Sequence, residues 1–107
     1  MRTPFENDSF AQVAQLFEDM FPGHKYRAFW CPDEHYNEDG ELVRGNIDIA
    51  EDGAYEVVVC SLQSVGEALD SFMWALAHVA VGLNAEDAEK RIGVYQDIVN
   101  AYEEAYQ

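Results

Sequence analysis

Positive charge is scarce in this sequence of 107 residues. Six Lys and Arg stand against 21 Asp and Glu, which gives a formal net charge of -15 and a pI near 4.2. Such a surface repels nucleic acid and anionic membranes and attracts basic proteins. Solubility alone also favours acidic surfaces, but self-repulsion of this size costs stability that solubility does not require. We therefore expect a basic protein partner and no direct binding of nucleic acid or membrane.

Long apolar runs are also lacking. No stretch approaches the ~18 consecutive apolar residues of a membrane span, and the first residues have neither the basic region nor the apolar run of a signal peptide. The sequence therefore predicts a cytoplasmic protein.

Cysteine is limited to Cys31 and Cys60, and both fall in segments that we expect to be strands. A lone pair in a chain without an export signal is typical of reduced thiols. We expect two free thiols that act as small buried side chains. Two cysteines are too few for a cysteine-only zinc site.

Catalytic motifs are missing from the sequence as well. It contains no Gly-rich phosphate loop and no G-x-S-x-G nucleophile motif. Sequence alone leaves open a pair of carboxylates that meet in a cleft as acid and base. We expect no enzymatic activity and no bound cofactor.

Apolar material is sufficient for a core, since 49% of the residues are hydrophobic and 13% are aromatic. The length fits one domain over residues 1–107. Apolar residues at helical spacing predict three helices, and β-favouring runs predict three strands. The helices are expected at residues 9–21, 64–83 and 84–106, and the strands at residues 25–31, 41–50 and 54–61.

The expected fold class is α+β, with an N-terminal helix, a three-stranded antiparallel sheet and two C-terminal helices packed on one sheet face. The antiparallel pairing follows from two turn signals, Asp39-Gly40 and Asp52-Gly53, which are typical of hairpins. Gly45, inside the second strand, indicates a bulge or a close approach of the backbone.

Helix boundaries and faces can be predicted too. Ser64 and Glu67 form a capping box, and Asn84 is expected to cap the last helix. The centre of the second helix, residues 72–81, is apolar nearly all round, which predicts that this helix is the central one. The last helix carries an apolar and aromatic stripe of Ile92, Tyr95, Ile98, Val99, Tyr102 and Tyr106.

Residues 67–83, Glu-Ala-Leu-Asp-Ser-Phe-Met-Trp-Ala-Leu-Ala-His-Val-Ala-Val-Gly-Leu, resemble the active-site helix of the SprT-like zinc metallopeptidases, a zincin family. In that family an acidic and aliphatic lead-in runs into H-E-x-x-H, and in some members Ala, Val and Gly follow the second His. The upstream order of a helix, a Tyr-Arg-Ala-Phe-Trp strand, an acidic loop with Asp-Gly and an Asn-Ile-Asp-Ile strand is also similar to such domains.

The resemblance implies a metallopeptidase-like scaffold that has lost its zinc-binding and catalytic residues. His78 stands at the position of the second zinc-binding His, but Trp74 occupies the first position and Ala75 that of the general-base Glu. Two imidazoles on one helical face and a carboxylate are indispensable to the mechanism. No His follows His78, whose only companions are His24 and His35, so we expect no stoichiometric zinc. The alternative role of His78 is that of a hydrogen-bonded core residue.

Carboxylates concentrate between positions 33 and 56, with Arg44 as the only basic partner. We predict that nine of them form the partner-binding surface: Asp33, Glu34, Glu38, Asp39, Glu41, Asp48, Glu51, Asp52 and Glu56. The two turns should flank the sheet at opposite ends, with Asp48 and Glu56 on its faces between them. A line of carboxylates across a sheet can follow the phosphate spacing of a duplex. The alternative is a solvated polar edge that prevents strand-to-strand aggregation.

In size and charge the chain resembles small acidic phage-type inhibitors of CRISPR effector complexes and restriction enzymes, which act as DNA mimics. That resemblance implies a non-enzymatic inhibitor that competes for the Lys and Arg arrays of a nucleic-acid-binding protein complex. Trp30, Tyr36 and Tyr55 are either anchors of the interface or core residues. The alternatives are a catalytically dead zinc metallopeptidase-like domain with a protein-interaction role, and an adaptor of another kind.

Overall fold

The structure is a computed structural model that describes residues 8–31, 38–40, 45–60 and 63–106. Its elements follow in the order α1 (Asp8–Met20), β1 (Tyr26–Cys31), β2 (Gly45–Ile49), β3 (Tyr55–Cys60), α2 (Val65–Val81) and α3 (Ala88–Tyr106), with a 3-10 turn at Ala85–Asp87. This order confirms the α+β class. Within the described ranges, none of the helices combines the length and the apolar character that a membrane crossing needs.

The pairing of the strands corrects one part of the expected fold. The sheet order is β1-β3-β2, so the first and second strands are not neighbours. β2 and β3 form the expected antiparallel hairpin, with Ile47 opposite Val57. β1, however, pairs with β3 in parallel, with Ala28 opposite Val57. The sheet is therefore mixed, and Asp39-Gly40 does not join two paired strands.

The apolar character of β3 explains its central position. Val57 and Val59 are fully buried, whereas β2 exposes Asn46 and Asp48 and β1 exposes Arg27. A central strand is shielded by a neighbour on each side, and edge strands are where charged side chains are tolerated and useful. A turn signal identifies a change of chain direction, but the burial of side chains decides which strands pair.

Gly45 lies where β2 passes α2. A Cβ added to this residue would stand 3.3 Å from the carbonyl oxygen of Val58 and 3.6 Å from Cβ of Ser71. The predicted close approach is confirmed, because a side chain here would force its neighbours to shift.

The hydrophobic core lies between the three helices and one face of the sheet. α2 contacts α1, α3, β2 and β3, which confirms that it is the central helix. Every layer contributes large, fully buried side chains: Phe10, Val13 and Phe17 of α1, Val57 and Val59 of β3, Phe72, Leu76 and Val79 of α2, and Ile98 of α3. The opposite face of the sheet, here called the outer sheet face, carries Arg27, Phe29, Asn46, Asp48, Glu56 and Val58.

The two cysteines are register partners at the ends of β1 and β3. Cys60 is buried, as predicted for a small apolar side chain. The side chain of Cys31 lies outside the described residues.

Both ends of α2 have specific hydrogen bonds. At the N-terminal end, Ser64 Oγ accepts from the backbone N–H of Glu67 at 3.1 Å and donates to its carboxylate at 3.0 Å, so the predicted cap is confirmed. At the C-terminal end, Arg91 of α3 donates to the carbonyl oxygens of Gly82 at 2.8 Å and Asn84 at 2.7 Å. Arg91 is only 9% exposed, so one buried guanidinium holds the connection between the helices.

The predicted cap at Asn84 is wrong. Asn84 precedes the 3-10 turn instead of α3 itself, and its side chain makes no capping hydrogen bond. Its carbonyl oxygen is used instead, since it accepts from Arg91 and from the backbone N–H of Asp87 at 3.1 Å. The backbone carbonyl of Asn84, and not its side chain, therefore makes the hydrogen bonds at this point of the chain.

The predicted apolar stripe of α3 is only partly buried. Ile98 and Tyr102 are in the core, but Ile92 is 51% and Tyr106 is 44% exposed. α3 packs on α1 and α2 along a seam that Arg91, Ile98 and Tyr102 define. Residues to the side of that seam remain in contact with solvent.

We expect Arg91→Ala to lower the free energy of unfolding by about 2 kcal/mol, because two hydrogen bonds from a buried, charged donor to backbone carbonyl oxygens are lost. Lys90→Ala is the matched control: it removes the same charge from the next position, where the side chain is 75% exposed, and should cost a few tenths of a kcal/mol at most. Urea denaturation followed by circular dichroism measures both values. Equal stability of the two variants would show that Arg91 does not hold the connection.

Candidate protein-interaction surfaces

Acidic side chains cover the described part of the molecule. All of those described are exposed except Glu56 and Asp87, which are half-buried. Four lie towards helix C-termini that have no basic residue in the last turn: Glu18 and Asp19 in α1, and Glu103 and Glu104 in α3. Negative charge at a helix C-terminus opposes the helix dipole. These carboxylates are therefore not placed where they would stabilise their own helices.

The described basic side chains offset little of this charge. Arg91 is buried, and Lys90 Nζ lies 3.6 Å from a carboxylate oxygen of Asp87. Arg27 pairs with carboxylates beside the sheet. Lys25 is exposed. The exterior of the described part is consequently dominated by negative charge.

The nine carboxylates predicted to bind a partner are only partly described. Asp33, Glu34 and Glu41 lie outside the described residues. The other six are Glu38, Asp39, Asp48, Glu51, Asp52 and Glu56. Glu38 and Asp39 are exposed in the connection from β1 to β2, and Glu51 and Asp52 are exposed in the turn from β2 to β3.

The two acidic connections join the sheet at opposite ends, as predicted. β1 ends where Cys31 pairs with Cys60, and β2 begins beside Val59 at that same end. The turn from β2 to β3 lies at the other end, where Ile49 pairs with Tyr55. Asp48 and Glu56 are direct register partners on the outer sheet face between them.

The predicted line of carboxylates across the sheet is interrupted by a cation. Arg27 is the register partner of Glu56 on β1, and its Nη2 lies 3.7 Å from Glu56 Oε1. The Arg27 guanidinium also donates two hydrogen bonds to Asp52, at 2.9 and 3.3 Å. Because β1 pairs with β3 and not with β2, this arginine is brought beside two of the predicted site residues.

The ion pair changes the titration of both partners. The hydrogen bonds from Arg27, followed by one from the backbone N–H of Ala54, lower the pKa of Asp52, and the same pairing raises the pKa of Arg27. Since the pKa of Asp52 is lower in the folded state, its contribution to stability is present above the ordinary Asp pKa and is lost as pH falls below it.

The aromatic residues near the sheet divide between core and surface. Trp30 packs against the ring of Phe10, with centroids 6.2 Å apart, and both Trp30 and Tyr55 lie against the core. Tyr36 lies outside the described residues. The exposed aromatic side chain is Phe29, which is 44% exposed on the outer sheet face.

A second surface lies on α2 and α3. Asp70, Trp74 and His78 recur every four residues and so share one face of α2, and Tyr95 reaches them from α3. We call these four residues the α2–α3 aromatic patch. The Trp74 ring lies 5.2 Å from the rings of both His78 and Tyr95, nearly perpendicular to each. Trp74 is nevertheless 40% exposed.

Hydrogen bonds hold the partners of Trp74 in place. The Tyr95 hydroxyl donates to the carboxylate of Asp70. His78 Nδ1 lies 2.8 Å from the carbonyl oxygen of Trp74, and because a carbonyl only accepts, this bond requires a proton on Nδ1. The hydrogen bond to Asp70, together with partial burial, raises the pKa of Tyr95 to about 12.

The positions that match the metallopeptidase motif are occupied by packing residues. Trp74 forms the aromatic contacts described above, and Ala75, at the general-base position, is buried. His24 packs on the ring of Phe17 at 6.2 Å between centroids, and His35 lies outside the described residues. Among the residues that the structure describes, no group of three or more His, Cys, Asp or Glu could hold a metal ion.

A groove of about 710 Å³ runs along α1 and the chain that enters β1. Its lining includes Phe17, Phe21, His24 and Tyr26. Burial and the nearby Glu18 raise the pKa of Tyr26. The lining also includes the polar side chains of Gln15, Glu18 and Lys25. All of it comes from one stretch of the chain, residues 11–26, and none of the carboxylates predicted to bind a partner contributes to it.

Sequence-based prediction missed the α2–α3 aromatic patch. It placed Tyr95 in a stripe and considered Trp74 only at the position of a lost ligand. The available signal was the spacing of Asp70, Trp74 and His78 along an otherwise apolar helix. No sequence pattern indicated that Tyr95 of α3 would contact this face of α2, because Asp70 and Tyr95 are separated by 25 positions.

We expect alkaline spectrophotometric titration to find one tyrosine with a pKa near 12 that disappears in Tyr95→Phe. Asp70→Asn should move this pKa towards the ordinary value near 10, because an amide oxygen is a weaker acceptor than a carboxylate. Since folding raises the pKa, the stabilisation is complete below about pH 10 and is lost as pH rises towards 12. Tyr106→Phe, which removes the hydroxyl of an exposed tyrosine, is the control. Loss of a group that titrates near 10 in Tyr95→Phe would contradict the prediction.

Comparison of the chain with protein-family models gives no match, and comparisons with curated proteins and with solved structures likewise give none. Its function must therefore be inferred from its charge distribution, its exposed aromatic side chains and its fold.

Proposed function

We propose that this protein is a non-enzymatic acidic inhibitor. It binds a basic nucleic-acid-binding protein complex, such as a CRISPR effector or a restriction enzyme, and occupies the site of the nucleic acid as a DNA mimic. The observation that carries this proposal is the asymmetry of the described surface, in which carboxylates are exposed on every helix and in both connections of the sheet while most cations are buried or paired.

Stability alone does not account for this distribution. Carboxylates at the C-terminal ends of α1 and α3 oppose the helix dipoles, and a net charge of -15 adds self-repulsion. Many exposed charges of one sign are instead what a cationic partner recognises, because they speed association and favour that partner over neutral surfaces.

The distance between the two acidic ends of the sheet is comparable to the width of a DNA groove. Acidic connections join it at both ends, and β2, with five residues, spans roughly 17 Å. Asp48 lies between them on the outer sheet face. Carboxylates over this length can meet cationic side chains that contact phosphates on both sides of a major groove about 12 Å wide.

A second candidate function is that of a catalytically dead metallopeptidase-like domain with a protein-interaction role. It is favoured by the exposure of Trp74 beside His78 on one face of α2, at the positions that match the family motif. The affinity of an apolar interface of that kind would depend weakly on salt concentration. The affinity of a DNA mimic would fall steeply as salt screens many charge pairs.

The test is affinity capture from host lysate, followed by displacement of the captured protein with duplex DNA. The variant Glu38→Lys, Asp48→Lys, Glu51→Lys, here called the sheet variant, reverses three exposed carboxylates of the sheet and its connections that are not those paired with Arg27. We expect it to lose at least tenfold in affinity for the captured complex, with little loss of stability because the positions are exposed.

The matched control reverses the same amount of charge elsewhere. Asp97→Lys, Glu103→Lys, Glu104→Lys changes exposed residues of α3 and should weaken binding much less. Capture of a protein that has no nucleic-acid site, or one that DNA does not displace, would refute mimicry. Equal losses in the two variants would show that the contact is not confined to the sheet and its connections.

A further inference from the structure

The exposure of Trp74 needs a reason. An indole is one of the largest apolar side chains, and α2 is otherwise the most deeply packed helix of the molecule, with seven buried residues. Trp74 lies on its solvent side at 40% exposure. The ring packs nearly perpendicular to His78 and Tyr95. A partly exposed indole is a side chain that commonly anchors protein interfaces.

The electrostatic surroundings of Trp74 are acidic. Asp70 lies one turn before it on the same face, and Glu67 lies one turn earlier still; both are exposed. α2 contains no Lys or Arg. Tyr95 packs against the indole and donates its hydroxyl to the Asp70 carboxylate, so a negative charge and an aromatic ring are presented on the same face of α2.

We propose that the α2–α3 aromatic patch receives a Lys or Arg side chain of the basic partner. The cation lies against the Trp74 ring, and Asp70 supplies the opposite charge. This inference rests on the proposed function, because it assumes a cationic partner. It adds one specific contact, with a single Lys or Arg side chain, to the general attraction between the acidic surface and that partner.

Charge complementarity selects this occupant over others. A second copy of the chain would bring another net charge of -15 to the same surface, and an anionic ligand would meet Glu67 and Asp70. A cation is stabilised at this patch both by the face of the indole and by the carboxylate. Arg should bind more tightly than Lys, because its planar guanidinium both stacks on a ring and donates hydrogen bonds to a carboxylate.

The experiment uses a ten-residue oligo-arginine peptide as the probe and isothermal titration calorimetry as the measurement. We expect Trp74→Ala to weaken binding about fivefold or more, and Trp74→Phe, which keeps a ring, to stay within about threefold of the wild type. The matched control is Tyr106→Ala, because Tyr106 is exposed to a similar degree, 44% against 40%, lies outside both the patch and the outer sheet face, and its loss leaves the charge unchanged. It should bind like the wild type.

A second measurement does not depend on truncating Trp74. In Trp30→Phe the only indole left is Trp74, and saturation with the peptide should change its fluorescence. Trp30 is not part of the patch, and Phe keeps an aromatic ring against Phe10.

The outcomes separate this inference from the proposed function. Salt-sensitive binding that is equal in Trp74→Ala and wild type, or unchanged fluorescence of Trp74 at saturation, overturns the patch and leaves the acidic-inhibitor proposal standing. An equal loss in Tyr106→Ala also overturns it, since the effect would not be specific to the patch. No binding of oligo-arginine by the wild type would overturn both.

Discussion

Burial of the apolar side chains of α2 is the interaction on which the rest of this structure depends. The carboxylates of a chain with net charge -15 repel one another in the folded state, and burial of apolar surface must offset that repulsion. Phe72, Leu76 and Val79 are at most 2% exposed, and each such side chain contributes roughly 1.5–3 kcal/mol. Because α2 contacts both other helices and two strands, these same side chains hold all the layers together.

Concentration of the core around one helix leaves the outer sides of the other elements free to carry charge. α1, α3 and the sheet each bury one face and expose carboxylates on the other. The cations are used differently, since Arg91 joins α2 to α3 and Arg27 bridges β1 to the turn after β2. Among the described residues, these two arginines therefore stabilise the fold, while most carboxylates face solvent.

The outer sheet face and the α2–α3 aromatic patch make different contributions to the proposed binding. The sheet separates its outer face from the helices, so the two surfaces lie on different elements and can be altered independently. Dispersed carboxylates act over distances of about 10 Å at ordinary salt and govern the rate of encounter. An oriented ring beside a carboxylate acts only on contact, and it selects planar or compact cations.

Features that depend on neighbours along the chain could be predicted from the amino-acid sequence. Helical spacing of apolar residues located α1 and α2, two residues three positions apart indicated the Ser64 cap, and turn residues separated the strands. Contacts between distant segments could not be predicted in this way: β3 lies between β1 and β2, Arg27 pairs with Asp52, and Tyr95 meets Asp70. Each of these pairs is separated by 25 positions, and which distant residues meet is set by the packing of whole faces around the core.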